Sequence, residues 1–427
     1  MITMENKQRV KTIAVIFIIA IVLISLITEF LYIFNNKYTY SKLQPEKGVL
    51  TLSQEEIDSN SFHFLIKDWE FYEDALLTPT YFKNQTSLPN MKYVSIGDTE
   101  SAYTSQTKNN TFIGTYRMKI NFPEKEGFYA LEMPQVYSAY ELYINDKLYL
   151  KVGDTHNYKA QIQNRCTFFT ASGETYITIA VKDASGIKAG ITSPPTLGKP
   201  YSINITRAFK FLINNFIMTL IFFGALFSLI LAISGKSNYS YMFFFMCLTY
   251  AVYLNHPLIN LCFSMGGNFS YIFEYFCTYF VYLMVIMLQN RLCNLNKNVS
   301  SISEICGSVF CAIAFIYGVF TPYLSAPLCT FLSTLCNVFE WLAAIYLVAI
   351  GTYAVFNDIK YGRIFLFGNV CFVASLLLYI IQPLYDSIYT DQSVEIGILA
   401  ILGCLYFVYW ASIIDNYRRN IVLDDER

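Results

Sequence analysis

Apolar residues follow two different rhythms along this chain. In the C-terminal half, long apolar stretches alternate with short polar ones at 209–233, 240–261, 270–290, 302–322, 329–356, 364–384 and 395–415. Each reaches the roughly 20 residues that a helix needs to cross a bilayer. One more stretch, 12–34, follows Lys7, Arg9 and Lys11, so the pattern predicts eight spanning helices. Between Ser61 and Tyr201 the rhythm changes to a period of two. Tyr116, Met118 and Ile120 share one face with Thr115, Arg117 and Lys119 opposite, and Ile177, Ile179 and Val181 repeat the pattern of a half-buried strand. Leu142 to Ile144, Asn145-Asp146 and Lys147 to Leu150 read as a hairpin, because Asn and Asp tolerate the positive φ of a type I′ turn. Short strands with no long amphipathic helix between them predict an antiparallel β-sandwich.

Composition says what surrounds these elements. Charged residues make up 14% and apolar residues 55%, where a soluble domain carries about 25% charge, so much of the surface faces lipid. Of 61 charged residues, 35 fall between Asn35 and Thr206 and 21 between Arg207 and Arg427. The chain therefore divides into an N-terminal signal anchor or signal peptide at 1–34, a β-sandwich domain at 35–205, a seven-helix membrane domain at 206–416 and a short tail at 417–427. A net charge of −1 leaves no basic excess for nucleic acid. Ten of the 11 cysteines lie in apolar runs or their short loops and no CxxC pair occurs, so neither a disulfide framework nor a metal site is expected.

Basic residues fix the expected orientation, because Lys and Arg are retained on the cytoplasmic side. Lys236, Arg291 with Lys297, Lys360 with Arg363, and Arg418 with Arg419 alternate with bare loops at 262–269, 323–328 and 385–394. Both termini are thus expected inside the plasma membrane and the 35–205 domain outside. The first span has an uninterrupted apolar core of only 15 residues, Ile13 to Ile27, before Thr28 and Glu29. A cleaved signal peptide has that shape, while the lack of a small-x-small site before Pro45 and the interfacial Tyr32 favour a retained anchor.

An ordered set of segments then carries a family resemblance: Trp69-Glu70-Phe71-Tyr72, Leu76-Leu77-Thr78-Pro79, Gly114-Thr115-Tyr116-Arg117 and Ser138-Ala139-Tyr140-Glu141-Leu142-Tyr143-Ile144-Asn145. Over about Phe62 to Tyr201 the chain resembles the extracellular domain of bacterial seven-transmembrane receptors with diverse intracellular signalling modules. The resemblance implies a jelly-roll, galactose-binding-like sandwich similar to carbohydrate-binding modules, followed by seven spans. It also implies an extracellular small-molecule ligand, carbohydrate-like in class. Where the family shows a Val-Ser-Asn segment followed by His and paired glycines, this chain has Val181-Lys182-Asp183-Ala184-Ser185-Gly186 and then Gly190, so no ligand contact is carried over there. Family members continue into a diguanylate cyclase, a histidine kinase or a phosphatase. Here only the 12 residues Asn416 to Arg427 follow the last span, too few for a catalytic domain. Output is expected from a cytoplasmic partner such as a cyclase or kinase, or to have been lost by truncation.

Candidate ligand contacts follow from residue type. Trp69 and Tyr72, with Phe71, suit an aromatic platform for a sugar ring, and equally suit a sandwich core. Asp154, His156, Asn157 and Lys182 are polar residues in turns, where ligand contacts concentrate. Inside the spans, Glu340 with Asn337 one turn before it is expected to face the bundle interior. His256, Glu274, Gln382 and Glu395 lie toward the outer ends, where they line a cavity or, for the two glutamates, reach interfacial water. His256 precedes Pro257, which breaks a helix hydrogen bond and favours a kink.

No P-loop, G-x-S-x-G, H-E-x-x-H or dinucleotide fingerprint occurs, and His63, His156 and His256 are scattered. An enzyme and a cofactor are therefore not expected. The leading expectation is a membrane sensor whose sandwich contacts the loop 385–394. The alternative is a transporter or envelope-assembly component using Glu340 and Asn337, with the sandwich as accessory.

Overall fold

The computed structural model describes residues 4–36, 43–59, 62–84, 90–96, 112–184, 189–234, 239–263, 270, 272–320, 323–381 and 392–425. Eleven strands are found among these residues: β1 (Val49–Thr51), β2 (Phe62–Phe64), β3 (Trp69–Glu73), β4 (Met91–Val94), β5 (Phe112–Asn121), β6 (Gly127–Met133), β7 (Ala139–Ile144), β8 (Lys147–Val152), β9 (Arg165–Ala171), β10 (Glu174–Asp183) and β11 (Thr196–Gly198). They form two sheets. The larger runs β4-β3-β5-β10-β7-β8, with β1 added parallel to β5, and the smaller runs β2-β11-β6-β9. All other pairings are antiparallel.

Side-chain alternation builds the core. On β5 and β10 the register sets Met118 against Ile177 and Tyr116 against Ile179, so both apolar rows point inward. They meet Leu131, Met133, Phe169 and Leu197 of the smaller sheet. The expected hairpin joins β7 to β8, but only the first of its two turn residues, Asn145 at φ +52°, takes a positive φ. A short helix, α2 (Gln54–Asp58), begins with Ser53 and Glu56 capping each other's backbone. Another, α3 (Pro79–Asn84), sets Phe82 over the outer face of the larger sheet, against Tyr72.

The helical part begins with α1 (Met4–Asn36) and resumes after the sandwich with α4 (Pro200–Ile233) and α5 (Ser240–Phe263). A π-helical turn, Phe273–Cys277, leads into α6 (Thr278–Leu292), followed by α7 (Lys297–Phe320), α8 (Ala326–Phe356), α9 (Gly362–Ile381) and α10 (Gln392–Asp425). Six helices among the described residues are long and apolar enough to cross a bilayer: Asn6–Leu31, Pro200–Ile233, Lys297–Phe320, Pro327–Phe356, Gly362–Ile381 and Val394–Asp415. The chain is a multi-pass membrane protein with a β-sandwich. Eight spans were expected; α5 is made less apolar by Tyr241, Tyr250, Tyr253, Asn255 and His256, and the π turn interrupts the helix that includes α6.

Helix ends also depart from the sequence pattern. α4 begins at Pro200 rather than 209, because its first turns cover the smaller sheet: Ile203 packs on Phe62 and Ala130, and Arg207 Nε lies 3.2 Å from Glu132 Oε1. α10 continues through the polar tail to Asp425. At the opposite end of α1, Arg9 bonds the Asp358 carboxylate and the Phe356 carbonyl, while Ala20 and Ile24 pack on Val370 and Cys371 of α9. Lys360 and Tyr361 in the same turn bond Asp415 of α10. The turn between α8 and α9 therefore gathers the N-terminal helix and the last helix at one end of the bundle.

Candidate functional site at the junction of the sandwich and the helices

The aromatic candidates are interior. Trp69 is fully buried in the core, and its indole N–H donates to the Leu65 carbonyl at 2.9 Å. Phe71 is equally buried. Tyr72 points to the other side of β3, yet Phe82 covers it, and its hydroxyl donates to Glu70 Oε2 at 3.1 Å. Burial, reinforced by the Glu70 carboxylate, pushes the Tyr72 phenol up to about 12. None of the three forms an open platform: the hydrophobic effect takes flat, apolar side chains inward unless a neighbour keeps them out.

The turn candidates do come together. Lys182 Nζ donates to the His156 carbonyl at 3.1 Å, and Asp154 Oδ1 accepts the backbone N–H groups of His156 and Asn157 at 2.9 and 3.3 Å. Chiefly the His156 N–H holds the Asp154 carboxyl below the usual range. Beside this turn, Glu141 accepts hydrogen bonds from Tyr143 (2.7 Å) and Thr155 (3.3 Å) and pairs with Lys151 (3.0 Å). Burial alone would raise its pKa; these three donors outweigh it and the pKa falls.

One strand away, Asp183 Oδ2 accepts from Ser138 Oγ at 3.1 Å, and Ser138 Oγ accepts the Gly190 N–H at 3.1 Å. Gly190 has φ +83°, and a Cβ there would stand 2.9 Å from the Tyr116 hydroxyl, so this position requires glycine. Ser185 and Gly186 lie outside the described residues.

Next to Ser138 stands Tyr137, and here the sandwich meets the helices. The Tyr137 hydroxyl donates to Glu274 Oε1 on the π turn, while Tyr137 and Ile162 pack with Tyr275. Glu274 Oε1 is 3.6 Å from His256 Nε2 of α5. Nδ1 of the same ring is 2.7 Å from the Tyr253 carbonyl, which can only accept, so Nδ1 carries a proton and Nε2 is turned to the carboxylate. His256 and Glu274, expected separately in the outer half, are thus one unit with a residue of the sandwich.

The other intramembrane candidates separate. Glu340 accepts the Tyr282 hydroxyl at 2.6 Å across the α8–α6 contact. Asn337 is exposed on the outside of α8 and does not share its face, because residues three apart diverge by about 60° and Glu340 sits at the edge of the buried stripe. Glu395 is half-buried at the start of α10, where its carbonyl accepts from Tyr250 at 3.4 Å. Gln382 and all but the last three residues of the loop 385–394 lie outside the described residues. Among the described residues the sandwich meets the helices at Glu274 and Tyr275 and, on its smaller sheet, at the first turns of α4.

Sequence reasoning missed Tyr137, Asp183, Tyr282 and the buried amides Gln289, Asn290 and Asn369. The amides had a readable signal, since polar side chains inside an apolar run seek partners on neighbouring helices. Tyr137 had none beyond its place directly before Ser138.

No family model matches the chain, and no curated sequence matches it. Among solved structures it is similar to a beta-glucuronidase from an uncultured Clostridium species, 14% identical, with 33% of this chain and 29% of that one covered at a TM-score of 0.25. A beta-glucuronidase from Faecalibacterium prausnitzii is 15% identical over 33% of this chain and 31% of that one, at 0.24. A beta-galacturonidase from Eisenbergiella tayi, bound to galacturonate, is 10% identical over 33% and 24%, at 0.22. The chain spans less than a third of the length of each.

Proposed function

We propose that the chain is a plasma-membrane sensor of the seven-span receptor type. Its sandwich lies outside the cell and binds a small, carbohydrate-like molecule; the helices pass the event to a cytoplasmic partner. In this reading the chain performs no chemistry of its own, and α1 is a retained anchor. The alternation of basic and bare loops supports the orientation, and the packing of α1 on α9 supports retention. The ordered sequence segments support the receptor type.

One observation carries the reading: Tyr137 of the sandwich bonds Glu274 of the bundle, beside His256. A ligand biases a two-state bundle only through differential affinity for the two states, so the binding domain must touch the helices through contacts that can change. The Asp183–Ser138–Gly190 set follows directly on Lys182 of the polar turn, and Ser138 is the covalent neighbour of Tyr137, so a ligand at that turn has a route to the contact.

The test uses the full chain in nanodiscs, screened with neutral and acidic monosaccharides by thermal shift. A binding sugar is expected to raise apparent stability and to change hydrogen exchange across 273–292, and Tyr137→Phe is expected to keep the first effect and lose the second. If no saccharide stabilises the chain, the ligand class is wrong. If exchange across 273–292 responds equally in Tyr137→Phe, the junction is not the route.

A further inference from the structure

A groove opens between α7 and α8 in the half of the bundle that carries Arg291 and Lys297. Val299, Ile302 and Cys306 of α7 and Phe339 and Tyr346 of α8 line it, with Ile286 of α6 behind, enclosing about 330 Å³. That is the lower end of the roughly 300–1,000 Å³ range of small-molecule sites. Its wall is apolar because its polar atoms are engaged behind it. Tyr346 OH donates to Asn290 Oδ1 at 2.9 Å, and Asn290 Nδ2 donates to Ser303 Oγ at 2.9 Å.

Three facts select the occupant. The mouth is flanked by side chains that remain exposed, Val299 at 46%, Ile302 at 69% and Leu342 at 54%, on two helices apolar enough to cross a bilayer. What reaches the groove sideways is therefore hydrocarbon. Val299 to Cys306 spans about 10 Å of helix, a length suited to part of a lipid chain rather than to a compact polar ligand. Two cations flank one end: Lys297 opens α7 two residues before Val299, and Arg291 lies in the last turn of α6, one residue beyond Asn290. Basic residues at the end of a crevice between spans attract lipid phosphates.

We propose that this groove is a binding site for an anionic phospholipid, one acyl chain lying against Ala343 and Tyr346 and the phosphate meeting Arg291 and Lys297. The chain would brace the Asn290–Ser303–Tyr346 set that ties α6, α7 and α8 together, so the lipid acts on helix packing from the membrane side. The inference needs only that α7 and α8 lie in a bilayer, and it stands whether or not the sandwich is a sensor.

The full chain is reconstituted in nanodiscs of phosphatidylcholine with a minor share of phosphatidylglycerol bearing a diazirine midway along one chain. Photolysis and peptide mapping are expected to label 299–306 and 339–346 several-fold above the exposed apolar face of α4 around Phe216 to Phe223. Ala343→Phe, which fills the groove, is expected to bring that labelling down to the α4 level. Cys306→Phe, at an exposed position, does the same if Ala343→Phe fails to fold. The double variant Arg291→Gln/Lys297→Gln is expected to lower labelling by phosphatidylglycerol several-fold and to leave labelling by diazirine-phosphatidylcholine unchanged. Even labelling of all exposed helix faces, indifference to both filling variants, or indifference to the charge variants would overturn the site. A Cys306–Cys306 cross-link between two chains would also overturn it, since it would assign the groove to a second copy.

Discussion

Gln289 on α6 and Asn369 on α9 exchange both side-chain amide hydrogen bonds, at 2.7 and 2.9 Å, in the buried centre of the bundle. Asn369 also donates to the Leu347 carbonyl of α8 at 2.6 Å, so one amide joins three helices. Removing one partner leaves the other buried without its bonds, which costs about 1–3 kcal/mol. Asn369→Leu is expected to destabilise the bundle by about that amount, read as a lower apparent melting temperature in detergent. Gln289→Leu/Asn369→Leu is expected to cost less than the sum of the two single variants, because no amide is left orphaned. Additive losses would show that the pair is not coupled.

Arg9, Asp358, Lys360 and Asp415 share one end of the bundle, while Tyr137 and Glu274 share the other. If basic residues mark the cytoplasmic side, an impermeant maleimide should modify Ser172→Cys, exposed on the sandwich, in intact cells. It should modify Asp358→Cys only after permeabilisation. The reverse pattern would invert the topology and with it the sensor reading.

Of the sandwich groups whose pKa is held down, His63 and Glu141 are buried, and both give its stability a pH dependence of one sign. Burial holds His63 below its ordinary 6.5, against a smaller opposing effect of Glu56. The unfolded chain then binds the proton more readily, so His63's contribution is full above 6.5 and is lost as pH falls below it. Glu141, with a folded pKa below its ordinary 4.5, adds stability that is present above that value and is lost as pH falls below it toward the folded pKa. Melting of the sandwich within the full chain, followed by amide exchange in β5 and β10, should therefore weaken in two steps on acidification. His63→Gln should remove the upper step and Glu141→Gln should shrink the lower, to which Asp154 also contributes. A single step unaffected by His63→Gln would show that this histidine does not govern the upper window.

Period-two alternation made the inner faces of β5 and β10 legible, because each buried row repeats every second residue whatever the surrounding fold. Run length likewise exposed the long helices. Faces within helices were harder to read: Asn337 and Glu340 are three residues apart, and only the neighbouring helices decide which of them is covered. The junction was half legible. Glu274 and His256 stand out as polar groups in apolar runs, but Tyr137 is 137 residues away from Glu274, and nothing local marks a tyrosine as an interdomain donor. Trp69 and Tyr72 show the same limit from the other side, since a stacking platform and a core aromatic have one composition.

That ambiguity has a measurable resolution. Trp69 is fully buried and donates to Leu65, so Trp69→Ala opens a cavity and removes a donor; it is expected to destabilise the sandwich by about 3–5 kcal/mol. Phe128 and Phe168, whose rings stack 6.1 Å apart on the outer face of the smaller sheet, are 57% and 42% exposed. Their replacement by Ala is expected to change stability by no more than about 0.5 kcal/mol each, as for ordinary surface positions. Denaturant unfolding followed by exchange in β3 and β6 separates the two kinds of aromatic. A Trp69→Ala variant as stable as Phe128→Ala would mean that the indole is not part of the core, and would return it to the list of surfaces open to a sugar.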